Sequence, residues 1–251
     1  LDPCTAGCVI TDVRTGEVRA LVSYPGYDNN KLSDSMDVDY YNSLLADQSL
    51  PLYNNATQAK KAPGSTFKPI TAFAALEEGL IQPGETVYCT GIYKEITPNI
   101  KCWTYPGKHE DLDIVGGIEN SCNYFFNEMG HRMALDEEGN YDTEKAMNII
   151  AKYASYFGLD HKSGVEITES EPNISTMAPE QSAMGQGTHS YTNVQLSRYI
   201  STVANKGTVY ELSVVDKLTD SEGNTIKDYT PEVYAKLDFN DSSWDLVQDG
   251  M

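Results

Sequence analysis

Ser65 and Lys68 are the two side chains whose types and spacing could do nucleophilic chemistry. They sit in Ala62-Pro63-Gly64-Ser65-Thr66-Phe67-Lys68-Pro69, and the run from Ile70 to Gly79 after them reads as a helix closed by glycine. Pro63-Gly64 breaks the chain just before it. Residues three apart on a helix share a face, with Cβ atoms roughly 5–6 Å apart, so an amine can approach a hydroxyl. A helix N-terminus carries roughly half a positive charge, which favours an alkoxide and lowers the pKa of a nearby lysine. The pattern therefore allows a serine nucleophile with a lysine base. It equally fits a serine that only caps a helix, so the rest of the chain must decide.

Composition narrows the classes. The chain has 251 residues, 40% of them hydrophobic, enough for one large domain or two small lobes with a substantial core. No run approaches the ~20 apolar residues of a membrane-spanning helix, and no signal peptide opens the sequence. A net charge of −19 argues against nucleic acid, whose binding relies on basic residues neutralising phosphates. The five cysteines (Cys4, Cys8, Cys89, Cys102, Cys122) form no Cys-x-x-Cys pair, and His109, His131, His161 and His189 are scattered. Nothing matches the short spacing of zinc ligands, so neither a metal nor a cofactor is expected. Cys89 and Cys102 flank a polar segment and are as readily free as disulfide-bonded.

The elements that must position Ser65 follow in order. Residues 7–24 read as a hairpin around Asp12 to Glu17. Residues 37–48 suggest a short helix, and 83–111 a long irregular region. Leu112 to Met133 reads as one helix, softly interrupted at Gly116-Gly117, with Ser121-Cys122-Asn123 near its middle. Thr143 to Phe157 is an amphipathic helix ended by Gly158. Thr192 to Asn205 is another. Strands are expected over 209–218 and 225–229, and a helix from Ser243 onward.

In combination these segments resemble the transpeptidase domain of penicillin-binding proteins. Pro63-Gly64-Ser65-Thr66-Phe67-Lys68-Pro69 is similar to the family's Ser-x-x-Lys motif, and Ser121-Cys122-Asn123 to its Ser-x-Asn motif. Thr11 to Pro25 resembles its first hairpin and Tyr27-Asp28-Asn29-Asn30 the following loop. Gly185-Gln186-Gly187, Gln195 and Ala204-Asn205-Lys206-Gly207 resemble a later segment, and Trp244 to Met251 a helix leading toward a third motif. The match runs over nearly the whole chain and leans toward the class B enzymes. Asn55 stands where the family often has arginine. The third motif, Lys-Thr-Gly, is absent. Lys162-Ser163-Gly164 fits its letters but lies in a segment resembling a different family stretch, so the motif is expected beyond Met251.

The resemblance implies an α+β, β-lactamase-like fold: a five-stranded antiparallel sheet flanked by helices, plus a mainly helical lobe. Most of the sheet would follow residue 251, leaving residues 1–251 as a C-terminally truncated domain with an exposed sheet edge. It implies acyl transfer on D-alanyl-D-alanine peptide stems of peptidoglycan. Ser65 would be the nucleophile and Lys68 its base. Ser121 would relay a proton, Asn123 would hold Lys68, and Gly185, Gln186 and Gly187 would border the substrate. β-Lactams would acylate Ser65. Other cell-wall synthesis or division proteins would be partners, a membrane anchor would lie outside this chain, and the work would be done on the outer face of a bacterial cytoplasmic membrane. Two rivals share the resemblance. One is a hydrolase of the same fold, a D,D-carboxypeptidase or serine β-lactamase. The other is a non-catalytic β-lactam sensor or peptide-binding scaffold.

Overall fold

The computed structural model describes residues 5–33 and 36–251; Cys4 lies outside them. Strands β1 (Ala6–Thr11) and β2 (Val18–Tyr24) pair antiparallel, Cys8 opposite Val22 and Ile10 opposite Ala20. Gly16, at φ +80°, closes the turn where a Cβ would meet Glu211 O at 2.7 Å. Helix α1 (Val38–Ala46) is capped by the Asp37 carboxylate, which accepts from the Tyr40 N–H.

The centre of the molecule is α2 (Lys68–Glu77), entered through a 3₁₀ turn, Gly64–Phe67. Lys68 through Ala75 are all buried. A helix apolar all round needs neighbours on every side, and α2 has them. Its Phe73 ring lies 4.5 Å from Trp244, 5.3 Å from Phe157 and 5.5 Å from Phe239. The Thr71 hydroxyl in this stretch donates to Ala183 O at 2.6 Å, which meets the requirement that buried polar groups be paired.

Residues 83–111 are mostly turns and loops, as expected, but short strands run through them. They hold β3 (Val87–Cys89), β4 (Ile92–Tyr93), β5 (Ile100–Lys101) and β6 (Glu110–Leu112), nested so that β3 pairs with β6 and β4 with β5. Strands of two or three residues are too short to show a two-residue period, which is why the sequence reads as loop. The expected helix over 112–133 is two helices, α3 (Ile114–Glu119) and α4 (Asn123–Ala134). The break falls at Ser121, whose φ is +47°, rather than at the glycines. Gly117 stays helical because its missing Cβ makes room for the Phe125 ring, 2.8 Å from where a Cβ would stand.

Helix α5 (Thr143–Tyr156) follows the reading closely, with Gly158 at φ +73° ending it. The short α6 (Pro179–Ala183) had no signal. Helix α7 (Asn193–Ala204) opens with a capping box between Thr192 and Gln195. The stretch 209–218 is not one strand but β7 (Thr208–Tyr210) and β8 (Lys217–Thr219); β8 pairs with β9 (Thr225–Asp228), and β7 with the unforeseen β10 (Val233–Lys236). Helix α8 (Asp241–Asp249) puts Trp244 into the core. The class is α+β as expected, but among the described residues the strands form two-stranded pairs and no five-stranded sheet. Among the described residues, no helix is long and apolar enough to cross a membrane.

Candidate active site

Ser65 stands exposed in the 3₁₀ turn, at the wall of a cavity of about 530 Å³ that Lys68, Cys8, Glu119 and Met251 also line. Three backbone contacts hold its turn. The Gly64 N–H donates to Gly185 O at 2.9 Å, the Thr66 hydroxyl donates to Pro63 O at 2.9 Å, and the buried Tyr199 hydroxyl donates to Thr66 O at 2.9 Å. Phe67 anchors the turn from below against His189, ring to ring at 4.3 Å.

Lys68, three residues on, lines the same cavity and is only 2% exposed. Its Nζ donates to Ser121 O at 2.7 Å, to Ser121 Oγ at 3.0 Å and to Asn123 Oδ1 at 2.8 Å. An ammonium has three N–H donors, and these acceptors engage all of them. Burial pushes the group down to about 8, against the pull of sulfur charge at Cys122 and Cys102. The amine is thereby within reach of neutrality near physiological pH, where it has a lone pair for a hydroxyl proton.

The two motifs meet because the α3–α4 connection turns sharply. The left-handed conformation of Ser121 points both its carbonyl and its hydroxyl at Lys68, and Cys122 caps α4 by accepting from the Phe125 N–H through sulfur at 3.4 Å. Asn123 is the first residue of α4. An uninterrupted helix could not direct Ser121 and Asn123 to one point, since residues two apart face different sides.

Gly185, at φ +78°, lies so near the nucleophile's turn that a Cβ would stand 2.0 Å from Gly64 O. Gln186 and Gly187 are exposed beside it. Lys162-Ser163-Gly164 is elsewhere. Ser163 is buried, and its N–H and hydroxyl are taken by the Glu169 carboxylate at 2.8–3.0 Å.

A second constellation adjoins the first and was missed in the sequence. Cys89 Sγ, Cys102 Sγ, Cys122 Sγ and a ring nitrogen of His109 all lie within 4.8 Å of one another. The nested ladders assemble it. Pairing of Cys89 with Glu110 sets His109 beside Cys89, and the Cys102 N–H bond to Gly91 O brings the third donor under them. The Trp103 indole N–H, donating to Asn120 O at 3.0 Å, ties this loop to the α3–α4 turn that supplies Cys122. Cys89 and Cys102 are free thiols, not a disulfide. Cys102 Sγ is 3.8 Å from Cys122 Sγ and 3.6 Å from His109 Nδ1, and Cys89 Sγ is 3.8 Å from the same nitrogen. A tetrahedral Zn²⁺ with Zn–S of about 2.3 Å and Zn–N of about 2.0–2.1 Å sets sulfurs ~3.8 Å apart and sulfur and nitrogen ~3.5 Å apart. The donor set and its spacings fit zinc, contrary to the expectation of no metal. The ligand positions are far apart in sequence, so short-spacing rules could not find them.

A serine on a helix-entry turn, a buried lysine three residues on and a Ser-x-Asn turn gripping that lysine define the acyl-serine class of penicillin-recognising folds. Residues 6–251 match the penicillin binding protein transpeptidase domain, and the chain belongs to that family. It is 28% identical to the peptidoglycan D,D-transpeptidase MrdA of Escherichia coli K12 over 98% of its own length and 39% of that protein's. To the D,D-transpeptidase PbpA of Mycolicibacterium smegmatis it is 29% identical, over 92% of this chain and 47% of the relative. The chain thus spans less than half of either curated relative. Among solved structures, a chain of a peptidoglycan synthase complex superposes with a TM-score of 0.83 at 26% identity, covering 98% of this chain and 41% of that one. Penicillin-binding protein A of Mycobacterium tuberculosis, as an imipenem acyl-enzyme, has a TM-score of 0.80 at 23% identity over 98% of this chain and 56% of its own, a likeness of fold.

Proposed function

We propose that this chain is the acylating part of a peptidoglycan D,D-transpeptidase. The observation that carries the reading is the three-point grip on Lys68 Nζ by Ser121 O, Ser121 Oγ and Asn123 Oδ1 beside Ser65. Neutral Lys68 takes the Ser65 proton as the oxygen attacks the carbonyl of the penultimate D-alanine; such general-base help is worth about 10²–10⁴-fold. The Ser65 backbone N–H, in a first turn where helix N–H groups lack internal acceptors, is one donor for the developing oxyanion. Ser121 passes the proton from Lys68 to the departing D-alanine nitrogen. An amine of a neighbouring stem then attacks the acyl-serine and forms the cross-link. Gln186, exposed beside Gly64, borders the bound peptide, while Gly185 and Gly187 supply backbone there. A β-lactam mimics the dipeptide and acylates Ser65.

Zn²⁺ held by Cys89, Cys102, His109 and Cys122 belongs to the same reading. Bound there, such a Lewis-acidic cation would be held by these four side chains, and Cys122 would in turn hold the flanking Ser121 and Asn123 in place. The fold relatives and the named MrdA and PbpA enzymes support work in the cell envelope, on the outer face of the cytoplasmic membrane beside other wall-building proteins. The full-length protein, given a stem pentapeptide donor and an amino acceptor, should yield cross-linked dimer in excess of hydrolysed tetrapeptide. Hydrolysis alone would favour the carboxypeptidase reading, and neither product the silent scaffold.

A further inference from the structure

The Cys89–Cys102–His109–Cys122 cluster has a property that holding a metal does not require. Three of its four donors are sulfur, and two of these, Cys102 and Cys122, have Sγ atoms 3.8 Å apart, in direct contact. Cys102 is 2% and Cys122 0% exposed, and the Cys102 thiol lies in a loop whose outer residues, Trp103 and Tyr105, are 65% and 44% exposed. Cys122 is the residue between the two that grip Lys68. We propose that Cys102 and Cys122 are an oxidative modification site: when the metal leaves, a small hydroperoxide converts them to a disulfide that displaces Ser121 and Asn123 and halts acylation of Ser65. This rests on the acyl-serine reading and on the metal reading above.

The chemistry balances. The Cys102 thiolate attacks the outer oxygen of the hydroperoxide; the O–O bond breaks, leaving Cys102 as the sulfenic acid and releasing an alkoxide, which takes up a proton to become alcohol (water, for hydrogen peroxide itself). The Cys122 sulfur then attacks the Cys102 sulfur and expels hydroxide, which takes the Cys122 proton and departs as water. The two sulfurs lose two electrons and the peroxide bond gains them. A disulfide holds its sulfurs about 2.05 Å apart, so the pair must close by roughly 1.8 Å from its present separation. The contacts of Lys68 to Ser121 and Asn123 are 2.7–3.0 Å long. A misplacement of ~1 Å at a reacting centre can cost about 10²-fold in rate. With zinc bound, Cys89, Cys102 and Cys122 would all be engaged as ligands, so neither sulfur of the pair would be free to react.

The test uses the full-length protein in zinc-loaded and chelator-stripped forms, each exposed to hydrogen peroxide. Linked peptides are mapped by mass spectrometry, and Ser65 is labelled with a fluorescent penicillin before and after dithiothreitol plus zinc. The expected result is a Cys102–Cys122 linkage in the stripped protein alone, a ten- to hundredfold slower labelling, and recovery on reduction with zinc. Cys102→Ser should lose the response to peroxide whatever its starting rate. Sulfinic or sulfonic acids in place of the linkage, a Cys89 linkage, or the linkage without slower labelling would each overturn the proposal. If Cys102→Ser does not fold, the wild-type map and the dithiothreitol recovery still decide. Absence of zinc from the loaded protein would refute the metal reading separately, because the linkage is read on the thiols. Absence of penicillin label in the reduced, loaded protein would refute the acyl-serine reading, with the linkage still scored.

Discussion

Lys68 and Asn123 come from different helices, yet Lys68 Nζ donates to Asn123 Oδ1 across 2.8 Å inside the core. Hydrogen bonds to buried charged groups are worth about 1.5–3 kcal/mol. Asn123→Leu leaves the ammonium one acceptor short and lets it swing. The expected outcome is penicillin acylation slowed by about 10–100-fold, measured by stopped-flow, with the circular dichroism spectrum kept.

The pH dependence follows from the burial of Lys68, which lowers the group to about 8. Below that pH the amine is protonated and cannot accept the Ser65 proton; above it the base is free. The second-order acylation rate should therefore climb between about pH 6 and pH 9, with half-maximum near 8. A rate flat across this interval would exclude Lys68 as the base.

Much of this arrangement was legible in the sequence, and the reason is local. Ser65 and Lys68 share one helical turn, so their spacing alone fixes their proximity. Asp142, Thr192 and Gly158 mark helix ends through their own side chains or lack of one, and α5 and α7 appear where those signals lie. The failures were non-local. The left-handed Ser121 that splits α3 from α4 is imposed by its tertiary contacts, and nothing in its residue type announces it. The cysteine–histidine cluster exists only because four two- and three-residue strands nest, and pairing that short leaves no periodic trace.

Two glycines near the nucleophile should behave differently. At Gly185 an added Cβ meets Gly64 O at 2.0 Å, whereas at Gly64, φ +57°, the nearest atom is Gln186 Nε2 at 3.6 Å. Gly64→Ala carries only the left-handed strain, roughly 1–2 kcal/mol. Gly185→Ala adds overpacking of about 1–3 kcal/mol and pushes on the Ser65 turn. Urea unfolding should rank Gly185→Ala as the less stable, and its acylation should be the slower.

His189 supplies a stability test. Its Nδ1 accepts from the Ser175 N–H at 3.1 Å, and burial lowers its pKa to about 4. Between the unfolded value of 6.5 and that folded value, only the unfolded chain takes the proton. Stability should thus fall as pH drops through this window, by about 3 kcal/mol at its foot. His189→Asn, which retains an acceptor but does not titrate there, should lose that part of the slope in urea titrations at each pH. An unchanged slope would show that His189 does not drive it.

Cys89→Ser removes a proposed metal ligand on β3 without touching Ser65, Lys68, Ser121 or Asn123. Zinc affinity, followed by competition with a chromogenic chelator, should weaken at least tenfold to a hundredfold. Equal zinc binding by the variant would remove Cys89 from the centre.

The central claim is that Ser65 is the residue that becomes acylated. Full-length protein treated with a β-lactam, digested and mapped by mass spectrometry, should carry the adduct on the peptide containing Ser65, and Ser65→Ala should carry none. An adduct on another residue, or none on a protein that binds the same β-lactam reversibly, would contradict the account.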